Sequence, residues 1–116
     1  MKYLLLIYSQ EDTEANLSKE EADAWMNEYW AYTEAMRNAG VSEGGEALQP
    51  TATATTVRVK DGKTITTHGP FAETKEQLGG YYLVDVPNLD DAIQWAARCP
   101  GARVGTIEVR PIMEFN

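Results

Sequence analysis

Residues 80–112 read GYYLVDVPNLDDAIQWAARCPGARVGTIEVRPI, and their periodicity changes twice. Over Gly80–Val86 the side chains alternate. Tyr82, Val84 and Val86 share one face and Tyr81, Leu83 and Asp85 the other, the period of a strand. Asn88 then offers a helix cap, and Asp90 and Asp91 stand where a helix N-terminus favours negative charge. The helix runs to Cys99, with Leu89, Ala92, Ile93 and Ala96 as its inner stripe and Trp95 and Cys99 flanking. Pro100-Gly101 ends it. A further strand follows in RVGTIEVRPI: Gly105, Ile107 and Val109 point one way, and Val104, Thr106, Glu108 and Arg110 the other. Strand, helix and strand in this spacing form a βαβ unit.

A second unit of this kind opens the chain. Tyr3–Tyr8 (YLLLIY) is apolar on both faces, which suits a central strand covered on both sides. A polar loop leads to LSKEEADAWMNEYWAYTEAMRNAG, where Ser18 and Glu21 have capping-box spacing and Gly40 is a helix stop. Ala22, Trp25, Met26, Tyr29, Thr33 and Met36 make the inner stripe, with Trp30 at its edge as core periphery or a subunit contact. Beyond it, Gly44-Gly45 reads as a bulge or turn, TATATT as an edge strand, and VRVKDGKTIT as a hairpin about Asp61-Gly62. That hairpin sets Lys60 opposite Lys63 and Val59 opposite Thr64.

The order strand, long helix, β-ribbon, strand, short helix, strand predicts one α+β domain over residues 1–116. It is a ferredoxin-like split βαβ sandwich with an extra β-hairpin. Both helices would cover one sheet face. The other would carry Tyr81, Leu83, Asp85, Thr106, Glu108, Arg110 and alternate residues of the first strand, an apolar mixture that calls for a partner. A second copy would cover it, making a symmetric homodimer through the open sheet face, an α+β barrel with a ligand cavity between the sheets.

Composition narrows the function. With 43% hydrophobic and 24% charged residues, the chain is globular rather than disordered. A net charge of −8 argues against nucleic acid and against an anionic membrane surface. The apolar run in MKYLLLIYSQED is too short for a signal peptide or a membrane span, and a lone cysteine suits a reducing, cytoplasmic setting. One histidine and one cysteine supply no metal-ligand spacing, so neither metal nor cofactor is expected.

The segments KYLLLIY, GGEALQPTATATTVRV, HGPFAETKEQLGGYYLVDV and DDAIQWAARCPGARVGTIEVRPI together strongly resemble the YCII-related family, in its DGPF-domain branch. The resemblance spans nearly the whole chain. It implies a ferredoxin-like fold of the dimeric α+β barrel class. It also implies distant kinship with small enzymes acting on ring compounds, and with proteins encoded beside or fused to extracytoplasmic-function sigma factors. The branch motif Asp-Gly-Pro-Phe reads His68-Gly69-Pro70-Phe71 here. The change replaces a carboxylate either by an imidazole that titrates near neutrality or by a residue that merely tolerates a turn.

His68 is the first candidate for proton transfer, with Glu46, Glu73 or Asp85 to orient it; the alternative is a surface turn histidine. Gly69, Pro70 and Phe71 shape the turn, with Phe71 plugging the core, and stand beside Thr74, Lys75, Tyr81 and Arg110 as candidate substrate contacts. Glu73, Lys75 and Glu76 equally read as a solvated turn, and Glu108 with Arg110 as an interface ion pair. Two functions follow from these residues. One is a small enzyme doing cofactor-independent acid–base chemistry on an organic molecule, with His68, Glu73 and Glu46 as its catalytic set. The other is a non-catalytic ligand-binding or regulatory dimer, with a sigma factor as possible partner.

Overall fold

The computed structural model describes residues 1–115. The described residues form six strands and three α-helices in the order β1 (Lys2–Ser9), α1 (Glu11–Ala15), α2 (Lys19–Asn38), β2 (Ser42–Ala47), β3 (Thr55–Lys60), β4 (Lys63–His68), β5 (Gln77–Asp85), α3 (Leu89–Arg98) and β6 (Thr106–Pro111). Four strands form one antiparallel sheet in the order β2-β5-β1-β6, and β3 and β4 form a separate hairpin. The class is therefore α+β. Helix α2 carries the chain from β1 past β5 to β2, and α3 carries it from β5 past β1 to β6. Two βαβ crossovers thus interleave, as the sequence order requires.

The register decides which residues face the helices. Tyr3 pairs with Val84, Leu5 with Tyr82 and Val109, and Ile7 with Gly80 and Ile107. Those residues point toward α2 and α3, where Tyr32, Met36, Ala92, Ala96 and Cys99 complete the core. Leu5, Met36 and Val84 are fully buried. The opposite face sets Leu4 beside Leu83 and Arg110, Leu6 beside Tyr81 and Glu108, and Tyr8 beside Thr106. Among the described residues no helix covers it, and Leu4, Leu6, Tyr8, Tyr81 and Leu83 are only half-buried. Glu108 and Arg110 pair with each other across this face.

Several local expectations hold. Ser18 and Glu21 form the reciprocal capping box, Asn88 accepts from the Asp91 N–H at 2.9 Å, and the hairpin pairs Lys60 with Lys63 and Val59 with Thr64. Asp61 and Gly62 both take positive φ, 52° and 75°, the turn that matches strand twist.

Others need correction. SEGGEA is a strand, β2, rather than a turn; the expected bulge falls between Ser42 and Gly44, and Gly44 takes φ 129°. In TATATT, residues Thr51–Thr53 make a single 3-10 turn and the strand β3 begins only at Thr55. The polar loop after β1 contains the short helix α1. Ala22 and Met26 are exposed, because the first turns of α2 overhang the sheet; Tyr32, absent from the expected stripe, is buried and donates to the Trp95 carbonyl at 2.7 Å. Leu89 and Ile93 stay about half exposed, since α3 meets the sheet through its small residues Ala92 and Ala96. Phe71 plugs nothing: it is 79% exposed.

The molecule is a slab of 48 × 48 × 19 Å. Its radius of gyration of 16.2 Å exceeds the roughly 13 Å of a compact domain this long. The β3–β4 hairpin accounts for part of the excess, because almost all of its side chains are exposed, Val57 and Val59 included.

Candidate functional site

A cleft of about 650 Å³ lies on the helix side of the sheet, between α2 and the β2–β5 edge. Its floor is made of small residues. Gly45 and Ala47 alternate with Glu46 on β2, and Gly80 sits opposite Ala47 on β5. Two of these positions admit nothing larger. A β-carbon on Gly45 would lie 2.5 Å from the Tyr81 carbonyl oxygen, and one on Gly80 would lie 2.8 Å from that of Glu46. The missing side chains leave a groove where a helix would otherwise pack down.

The wall is α2. Met26, Trp30, Thr33 and Arg37 recur at helical spacing beside the core stripe and face the cleft together with Trp25 and Tyr29. Trp25 and Tyr29 meet edge to face at 5.6 Å, which holds both rings in place. Trp30 is 62% exposed, an area of indole that nothing among the described residues covers. At the deep side the Thr33 and Tyr82 hydroxyls share a hydrogen bond of 3.0 Å. Burial raises the Tyr82 phenol above its ordinary value, and the Thr33 contact opposes that only in part. Tyr29 is pushed further up by burial and by the neighbouring Cys99, so these phenols are neutral donors and acceptors.

The roof and one end come from α1 and the segment after β2. Leu48 and Pro50 close over the groove, and Glu11 and Glu14 stand at the end. Both carboxylates are engaged in structure. Glu11 accepts from the Thr51 N–H and hydroxyl, and Glu14 accepts from the Ser9 hydroxyl at 3.3 Å. Arg37, at the other end, forms no ion pair among the described residues.

The residues singled out from sequence do not gather here. His68 ends β4, exposed, opposite Thr55, and does not line the cleft. Gly69 is buried with φ 101°, its N–H donating to the Ala54 carbonyl at 2.7 Å and its carbonyl accepting from Thr56, so it closes the hairpin base. Pro70, Phe71, Glu73, Thr74 and Lys75 follow in an exposed loop. Within that loop the Thr74 hydroxyl donates to the Glu76 carbonyl and the Thr74 carbonyl accepts from Gln77. Glu46 and Tyr81 are register partners that border the cleft, but their side chains belong to the open face. Arg110 lies on that open face, away from the cleft.

From sequence Trp30 stands out at a stripe edge and Gly45 only as part of a bulge or turn, while Arg37 and Glu11 do not stand out. The signal for the wall is Met26, Trp30, Thr33 and Arg37, the last two each one residue after the buried Tyr32 and Met36. Among the described residues no group of three or more His, Cys, Asp or Glu side chains could hold a metal ion, and no helix is long and apolar enough to cross a membrane.

Residues 1–116 match the YCII-related domain family. The chain is 40% identical over 118 residues to an uncharacterized protein of Rhizobium meliloti (strain 1021), covering 100% of this chain and 95% of that one.

Proposed function

The chain belongs to the YCII-related domain family, and we propose that it is a small-molecule-binding homodimer whose ligand, a ring-bearing organic compound, lies between α2 and the β2–β5 edge. The cleft carries the proposal. Its volume of about 650 Å³ suits a small organic ligand, and Trp25, Tyr29 and Trp30 give it flat apolar surface with the Thr33–Tyr82 hydroxyl pair as a polar anchor. Burying the exposed Trp30 ring beneath a ligand is favourable in itself.

The homodimer joins the open sheet faces, the arrangement of a dimeric α+β barrel. The uncovered row of Leu4, Leu6, Tyr8, Tyr81 and Leu83 supports it, as does a radius of gyration too large for a compact monomer. A sigma-factor partner would need a surface of its own, since this face is assigned to the second copy. Membership of the DGPF branch rests on Gly69-Pro70-Phe71 and the residues that follow. A cytoplasmic setting suits the free, buried Cys99. Acid–base catalysis through His68 draws no support from the geometry, because that side chain is exposed and lies outside the cleft.

The test is calorimetric titration of the purified protein with 2-naphthaleneethanol, a neutral ring compound. Saturable binding that weakens about tenfold in Trp30→Ala is expected, the loss of one stacked indole face. No binding, or equal affinity in the two proteins, would overturn the assignment of the cleft.

A further inference from the structure

Resting on the cleft as a binding site, we propose that its natural ligand carries a carboxylate, held by Arg37, with its ring against Trp30. Four charged side chains border the cleft: Glu11, Glu14, Glu46 and Arg37. Three have other employment. Glu11 gives both oxygens to Thr51, Glu14 accepts from Ser9, and Glu46 belongs to the opposite sheet face beside Tyr81. None of the four forms an ion pair among the described residues, but Arg37 is the one cation of the set, and its guanidinium, unlike the Glu11 and Glu14 carboxylates, makes no hydrogen bond there.

Its position on α2 supplies the geometry. Trp30, Thr33 and Arg37 occupy one helical stripe, and seven residues span about 10 Å along the axis. Helical side chains lean toward the N-terminus, so Arg37 reaches back over Thr33 toward Trp30. A helical separation of about 10 Å between the two residues leaves room for a carboxylate joined to a ring by a short linker. The Thr33–Tyr82 pair lies between them, and its shared hydrogen bond leaves the second hydroxyl proton free to donate to an anion. Arg37 also stands in the last turn of α2, where a cation is favoured by the helix dipole. That explains its tolerance there but not its place on the wall of a cleft. A guanidinium fork matches the two oxygens of a carboxylate in a bidentate pair.

A matched set of probes separates charge from ring: 2-naphthaleneacetate, 2-naphthaleneethanol and 2-naphthaleneethylamine, titrated into wild type, Arg37→Gln and Arg37→Lys. The acetate should bind wild type about tenfold more tightly than the alcohol. Arg37→Gln should bring the acetate down to the affinity of the alcohol while leaving the alcohol unchanged, and Arg37→Lys should restore part of the difference. If alcohol and acetate bind wild type equally, or the amine binds most tightly, the carboxylate is refuted and the cleft stands. An acetate preference that survives in Arg37→Gln refutes the role of Arg37. If none of the three binds, this inference and the cleft fall together.

Discussion

The Glu11 carboxylate accepts two hydrogen bonds from Thr51, 2.7 Å from its N–H and 3.0 Å from its hydroxyl, and so ties α1 to the roof of the cleft. Glu11→Ala should cost about 1 kcal/mol in urea unfolding and raise the hydrogen-exchange rate of the Thr51 amide. Thr51→Val, which removes only the hydroxyl bond, should cost less. An unchanged Thr51 amide in Glu11→Ala would show that the roof is held by something else.

Gly45 is required for its lack of a side chain, because its added β-carbon would strike the Tyr81 carbonyl, a backbone atom that cannot turn aside. Gly45→Ala should destabilise the protein by about 1–3 kcal/mol and weaken any cleft ligand, as β2 is pushed off β5. Thermal melts of this variant that overlay wild type would contradict the close strand approach.

The buried phenols and thiol set an upper pH limit. Burial raises Tyr29 and Tyr32 first, and Tyr82 and Cys99 with them, above their ordinary values. A raised folded-state value contributes stability that is fully present below the unfolded value and lost as pH climbs toward the folded one. Stability should therefore hold to about pH 8.5, then fall as pH rises past the ordinary thiol and phenol values of about 8.5 and 10. Urea midpoints measured from pH 7 to 11 would show it. Tyr32→Phe removes one contributor and should flatten the decline, at the cost of the bond to Trp95. A midpoint independent of pH across this range would contradict the burial of these groups.

Leu6 stands at the centre of the open face, between Tyr81 on β5 and Glu108 on β6. Leu6→Arg should turn a dimer into a monomer in sedimentation at micromolar concentration while leaving the helix-side core intact. A wild-type monomer, or a dimer that tolerates the arginine, would remove the open face as the interface.

Much of the fold was legible because its signals are local. A capping box needs only Ser18 and Glu21, and an Asp61-Gly62 turn fixes the hairpin register by itself. β2 was not legible, because SEGGEA has no strand-like side chains and becomes a strand only by pairing with β5. Phe71 misled for the converse reason: an aromatic after Gly-Pro reads as a core plug, and only the tertiary path shows the loop running through solvent. The candidate site was harder still. His68 drew attention by being unique, whereas the cleft depends on what is absent at Gly45 and Gly80 and on charges whose partners lie far off in sequence. Glu11 reads as one acid among many until Thr51 arrives beside it.

The strand order also governs how the chain is made. β1 sits between β5 and β6, so both of its neighbours leave the ribosome well after it does. At about 5–20 residues per second, roughly 3–14 s separate Ser9 from Gln77. Throughout that interval YLLLIY has two unpaired edges and no lid, and α2 has no floor to settle on. The nascent protein thus carries an apolar segment unpaired for that time, and its burial waits on the synthesis of β5 and β6.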